Sequence, residues 1–146
     1  VALVALVLGP PWEYAHFSGP IPRDGPLAWV GLAVFAGGIA LQAAAFRALG
    51  SLYTSRLGMQ PGHRLVTGGP YRWVRHPGYL SNVVCLAGMG LGLALSSLIG
   101  LGLALLVVPL IVRRIGSEEE MLAAEFGADY VRYRRQTPWR LLPPLY

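Results

Sequence analysis

From Tyr79 to Val112 the chain is almost continuously apolar. As one helix this run would extend roughly 50 Å, whereas a bilayer core is only ~30 Å thick, so it is too long for a single crossing. Ser96, Ser97 and Gly100 fall near its middle and predict a tight helical hairpin, with Pro109 placed to kink the second arm. A hairpin leaves the membrane on the side it entered. Its flanks agree, with Arg72 and Arg75 before it and Arg113 and Arg114 after it. The other arginines of the connector at 51–76 share that side and Arg23 lies opposite, which assigns the arginine-rich side to the cytoplasm.

Composition supports lipid as the solvent. Hydrophobic residues make up 54% of the 146 positions and charged ones only 13%, where a soluble domain carries about 25% charge. A soluble globule of this size could not hide that much apolar surface. The net charge is +5, and all twelve basic residues are arginine. Most stand at the ends of apolar runs, as a membrane topology requires, and no nucleic-acid recognition motif accompanies them.

Leu27–Leu49 reads as a second membrane helix, interrupted only by Gln42 and Arg47. The Pro- and Gly-rich stretch Trp12–Pro26 reads as a loop. Val1–Gly9 is apolar but too short to span, and reads as the tail of a helix that starts before Val1; neither Met nor a basic segment supports a signal peptide. The fold expected is all-α, a polytopic integral membrane protein. It would have about four membrane helices, including the hairpin, and a cytoplasmic C-terminal helix, in one domain over 1–146 with N-terminal helices at 1–52. Ser117 and Glu120 have capping-box spacing, which predicts that this last helix begins at Ser117 and ends at Thr137-Pro138. Met121, Leu122, Phe126, Tyr130 and Tyr133 predict its apolar face, and the closing "WRLLPPLY" reads as a short interfacial extension.

Two motifs carry no chemistry. "GMGLG" at Gly88–Gly92 looks like a nucleotide-binding turn, but it lies inside a membrane helix with no acidic residue about 20 positions on. Gly88 and Gly92 read as small-residue helix packing. His63, His76 and the lone Cys85 show no recognised metal spacing, so no metal site is assigned.

Two other groups have the composition of a site. In "RHPGY", Pro77 suits the first position of a helix and sets His76 at or near its N-cap, where unpaired N–H groups favour an anion. An equally consistent reading makes Arg72, Trp73, Arg75 and Tyr79 an aromatic and basic interfacial belt. In "SEEE", Arg114 and Glu118 could pair across a helical turn. The hairpin also returns both of them to the neighbourhood of His76 and Tyr79.

The combination resembles the isoprenylcysteine carboxyl methyltransferase family, within the wider group of membrane phospholipid and isoprenylcysteine methyltransferases. The resemblance runs from His63 onward. It rests on "HRLV", then "GPY", then "RHPGY", then "RIGSEE", then "FGADYVRY". It implies methyl transfer from S-adenosylmethionine, with 53–146 as the cofactor-binding catalytic core facing the cytoplasm and a lipidic substrate entering from the bilayer. By matched position, His63, Arg64, Leu65, Val66, Tyr71, His76, Pro77, Gly78, Tyr79 and Glu118 would meet the cofactor. Arg114 would bind the substrate's reactive end, with Arg114 and Glu118 the catalytic pair. A further polar cofactor contact falls on Arg56 or Gln60.

Displacement at a methyl carbon needs alignment and exclusion of water more than acid–base chemistry. A carboxylate acceptor is already nucleophilic near neutral pH and would need only Arg114 to orient it. A phospholipid or other amine would first have to lose a proton, with Glu118 or Glu119 as the available base. The alternative of another class is a non-catalytic small membrane protein whose polar groups are interfacial anchors.

Overall fold

The apolar runs form helices in the computed structural model, which describes His16 and residues 25–52, 64–93 and 98–142. The expectations for Val1–Gly9, most of the loop at 12–26, Arg56, Gln60, His63 and the Ser96-Ser97 turn lie outside the described residues. Among the described residues there is no strand, so the all-α expectation holds.

Helix α1 (Pro26–Leu49) starts at a proline and ends before Gly50, whose φ of 55° a side chain would disfavour. Ala28–Leu49 is 22 residues of membrane-spanning length and composition. Its large apolar side chains are left uncovered, among them Trp29 at 70% exposure and Leu32 at 55%. The core helix of a soluble protein would bury such residues.

Helix α2 (Pro77–Leu93) and helix α3 (Leu98–Gln136) occupy the apolar run on either side of residues 94–97, which lie outside the described residues. Described residues divide into two compact units, one within Val1–Ile39 and Asn82–Leu110, the other within Ala40–Ser81 and Ile111–Tyr146. In the first, Gly88 of α2 meets α1 so closely that a Cβ there would lie 2.4 Å from the Phe35 backbone nitrogen. Gly88 is therefore a packing glycine, as its place inside a helix predicted. One turn earlier, the Cys85 thiol lies against the Phe35 carbonyl at 3.8 Å.

The second unit is polar, and its core is built by α3 together with residues 70–76 and 137–141. Ile111, Ile115 and Glu119 are buried four residues apart on one stripe of α3; Tyr130 and Tyr133 are buried further along. Met121, Leu122 and Phe126 are only half-buried. The helix start expected at Ser117 is not there. α3 runs through it, and the Ser117 hydroxyl turns back to the Arg113 carbonyl (3.5 Å) instead of capping. Nothing at 113–120 forces a break, since an isolated Gly116 costs a helix only ~1 kcal/mol. The non-helical backbone falls at Gly127 (φ 48°, ψ −117°), not at Pro109, in a conformation that favours glycine. α3 then ends at Gln136, immediately before Thr137-Pro138, as expected.

The last described residues do not extend away. Arg75 N–H donates to the Trp139 carbonyl (2.9 Å) and His76 N–H to the Arg140 carbonyl (3.1 Å), while Leu141 is buried. The tail, over the described residues 137–142, is a clasp across the entry to α2. The carbonyls of Thr137, Pro138, Trp139 and Arg140 all accept from Arg75 or His76.

Candidate active site

Pro77 opens α2, and the His76 carbonyl accepts the Leu80 N–H at 3.0 Å, the first bond of the helix. His76 thus occupies the N-cap position its sequence context predicted. Its ring is almost wholly buried, as is the side chain of Arg75. Ser81, one turn on, bonds the Gly78 carbonyl (2.6 Å) and the Gln42 amide oxygen of α1, which anchors this turn.

Two clusters form where α3 returns to α2. The inner one is centred on Glu119, buried to 5% exposure. Arg75 Nε donates to its Oε1 at 2.7 Å, and Arg140 donates to Oε2 through Nε at 3.0 Å and Nη2 at 2.8 Å. His76 Nε2 lies 3.4 Å from Oε1. Arg75 Nη1 also binds the Thr137 and Pro138 carbonyls at 2.9 and 2.6 Å. Burial alone would raise the Glu119 carboxyl. The hydrogen bonds from His76 and Arg75, with the charges of Arg75 and Arg140, outweigh it and hold the group well below the usual carboxylate range.

The outer cluster is partly open to solvent. Tyr79 Oη donates to Glu118 Oε2 (2.9 Å) and accepts from Arg114 Nε (2.8 Å), so one phenol joins the guanidinium to the carboxylate. Glu118 Oε1 stands 4.0 Å from His76 Nδ1, with the Glu118 side chain 30% exposed. The His76 and Tyr79 rings are 5.8 Å apart and tilted.

Of the residues singled out from sequence, His76, Tyr79, Arg114 and Glu118 come together here, with Pro77 and Gly78 in the opening turn of α2. Arg64, Leu65 and Val66 lie in a stretch without regular secondary structure, Arg64 exposed and the other two half-buried. Tyr71 sits in a short 3-10 turn, Gly69–Arg72, and its carbonyl accepts the Tyr133 hydroxyl at 2.7 Å. The belt reading divides. Arg72 stacks on Trp73 at 4.9 Å with both exposed, whereas Arg75 is buried in the Glu119 cluster.

Arg140 and the role of Arg75 were missed from sequence. The available signal was Glu119 on the stripe of Ile111 and Ile115, a carboxylate at a core position that demands a cation.

This polar donor and acceptor set at the mouth of apolar helices has the chemistry to hold a ligand that carries both cationic and carboxylate groups. Comparison with known proteins places the chain within a family. The profile of the isoprenylcysteine carboxyl methyltransferase (ICMT) family matches residues 29–124, well over half of the chain. The chain belongs to that family.

Similar proteins include the protein-S-isoprenylcysteine O-methyltransferase of Schizosaccharomyces pombe, 37% identical over 78 residues, covering 52% of this chain and 32% of the relative. A Delta(14)-sterol reductase of Mus musculus is 28% identical over 85 residues, 58% of this chain and 20% of that protein. Among solved structures, that of the eukaryotic intramembrane Ras methyltransferase ICMT superposes with a TM-score of 0.78 at 28% identity. It covers 97% of this chain and 50% of that one. The chain thus spans a fifth to a third of the length of these curated relatives.

Proposed function

We propose that this chain is a multi-pass membrane methyltransferase that takes S-adenosylmethionine and methylates the carboxylate of an isoprenylcysteine-like lipidic substrate. About four helices would cross the bilayer in one domain over 1–146, with 53–146 as the catalytic core facing the cytoplasm. The arginine distribution supports that orientation: eleven of the twelve arginines fall within Ala40–Ser81 and Ile111–Tyr146.

The residues present fit the cofactor. Glu118, partly exposed and next to an imidazole, suits its cationic groups, and Tyr79 offers an aromatic face beside them. His63, Arg64, Leu65, Val66, Tyr71, His76, Pro77, Gly78, Tyr79 and Glu118 would hold it. When bound it supplies an electrophilic methyl group. The chain's own task is to align an acceptor and exclude water.

The observation that carries the carboxylate acceptor is Arg114 Nε fixed at 2.8 Å on the Tyr79 hydroxyl beside Glu118. A guanidinium is planar and always charged, with donors in a fixed fork that matches a carboxylate, which suits Arg114 to orient an anionic acceptor. Amine methylation would need a base, and the two candidates are poorly suited. Glu119 is held ionised by two arginines, and Glu118 accepts the Tyr79 hydroxyl. The matched region occurs in proteins of differing named activity, and Arg114 is the feature of this chain that favours a carboxylate acceptor.

Purified chain in detergent should move a labelled methyl group from S-adenosylmethionine to a prenylcysteine, and the product should release the label in base, as an ester does. A base-stable product on an amine lipid would replace this acceptor with the alternative one.

A further inference from the structure

His76 lies between two carboxylates that treat it differently. Nε2 faces Glu119 Oε1 at 3.4 Å, the long end of a hydrogen bond, in a buried cluster. Nδ1 faces Glu118 Oε1 at 4.0 Å, beyond hydrogen-bond reach. A carboxylate that already receives Arg75 and Arg140 can only accept, so the ring nitrogen that faces it must carry the proton.

We infer that Glu119 is a positioning residue that fixes His76 as its Nε2–H tautomer, leaving bare Nδ1 and the Glu118 carboxylate as a paired seat for a cationic N–H group. The separation suits one shared donor. Two acceptors 4.0 Å apart can each lie about 2.9 Å from a single ammonium nitrogen. The ring offers a lone pair to a cation, with Glu118 supplying the countercharge. Identifying that cation with the ammonium of the cofactor's amino-acid end rests on the methyltransferase reading; the tautomer does not.

Glu119 reaches this seat only through His76, and its other partners tie down the clasp. Arg140 can therefore separate the two roles, because it binds the same carboxylate from the tail, at Oε2, whereas His76 faces Oε1.

The test uses the full chain in detergent at pH 8, without ligand, labelled with 15N-histidine. It contains three histidines, His16, His63 and His76, so His76→Asn assigns the signal. Wild-type protein should show His76 with Nε2 protonated and Nδ1 bare. Glu119→Ala should lose that single tautomer, while Arg140→Gln should keep it. A wild-type Nδ1–H tautomer overturns the inference even if Glu119→Ala fails to fold, as does a folded Glu119→Ala with an unchanged spectrum.

A second arm tests the seat with S-adenosylhomocysteine and with methylthioadenosine, which lacks the amino-acid group. Glu119→Ala should weaken the first about tenfold and leave the second unchanged. Equal weakening of both contradicts an ammonium seat. If wild-type protein binds neither nucleoside, the methyltransferase reading falls, and the spectrum still decides the role of Glu119.

Discussion

Glu118 and Glu119 are adjacent, yet each anchors a different kind of cluster. Around Glu119, two arginines and an imidazole surround a buried carboxylate and join residues 75–76, α3 and the tail at 137–140. Around Glu118, one phenol links the carboxylate to an exposed arginine, and part of the group still meets solvent. Both use arginine and carboxylate. Burial and the number of partners separate them: the inner cluster is committed to holding the fold, and the outer retains capacity for a ligand. Charge type alone would not have distinguished them.

The sharpest way to break this contrast is Glu119→Ala. It leaves Arg75 buried without its counter-charge, and breaking such a pair costs about 3 kcal/mol or more. Thermal unfolding in detergent should show a large loss of stability, whereas Glu118→Ala should lose ligand binding and little stability. Equal destabilisation by both would erase the distinction. Acid titration tests the same point. The Glu119 carboxyl is depressed in the folded state, so its contribution is full above the ordinary glutamate value of ~4.3. It declines as pH falls below that value toward the lower folded one. The wild type should lose stability as pH falls below about 4.3 and Glu119→Gln should lack most of that acid dependence; the same dependence in both would contradict a depressed Glu119.

Tyr79→Phe addresses the outer cluster alone. It removes the hydroxyl that joins Arg114 to Glu118, at a net stability cost of only ~1 kcal/mol. Turnover should drop about tenfold or more in a methyl-transfer assay with unfolding little changed; unaltered turnover would show that the phenol does not align the arginine. Trp73→Ala should have the smallest effect. An exposed cation–π pair is worth roughly 0.5–1 kcal/mol, so folding and turnover should stay near wild type. Large destabilisation there would mean that the pair belongs to the buried set with Arg75.

How legible the molecule was depended on which physical rule dominated each segment. The helical character of 26–49, 77–93 and 98–112 was legible from their apolar composition, while the hairpin turn that length demanded falls at residues outside those described. Pro77 fixed the start of α2, and Gly88 its packing, through local sterics that any context would impose. Tyr79, His76, Arg114 and Glu118 were brought together by the return of the chain, which the flanking arginines already indicated.

The capping box misled, since capping competes with helix continuation and the buried stripe of Ile111, Ile115 and Glu119 favours continuation. That error hid the position of Glu119. With a helix assumed to begin at Ser117, Glu119 sat in a first turn at the surface; on the continuous helix it sits in the core. The clasp was beyond reach for another reason. Its bonds run from residues 75 and 76 to backbone carbonyls 64 positions away in each case, and backbone acceptors carry no side-chain signature.

The central claim is that the outer cluster acts on a carboxylate acceptor while Glu118 and His76 keep the cofactor, and Arg114→Lys tests it most directly. An ammonium retains the charge but not the fork. S-adenosylhomocysteine affinity should stay within about threefold of wild type while turnover falls about 100-fold, close to 2.7 kcal/mol of lost transition-state stabilisation. Cofactor affinity lost in parallel with turnover, or turnover unchanged, would contradict it.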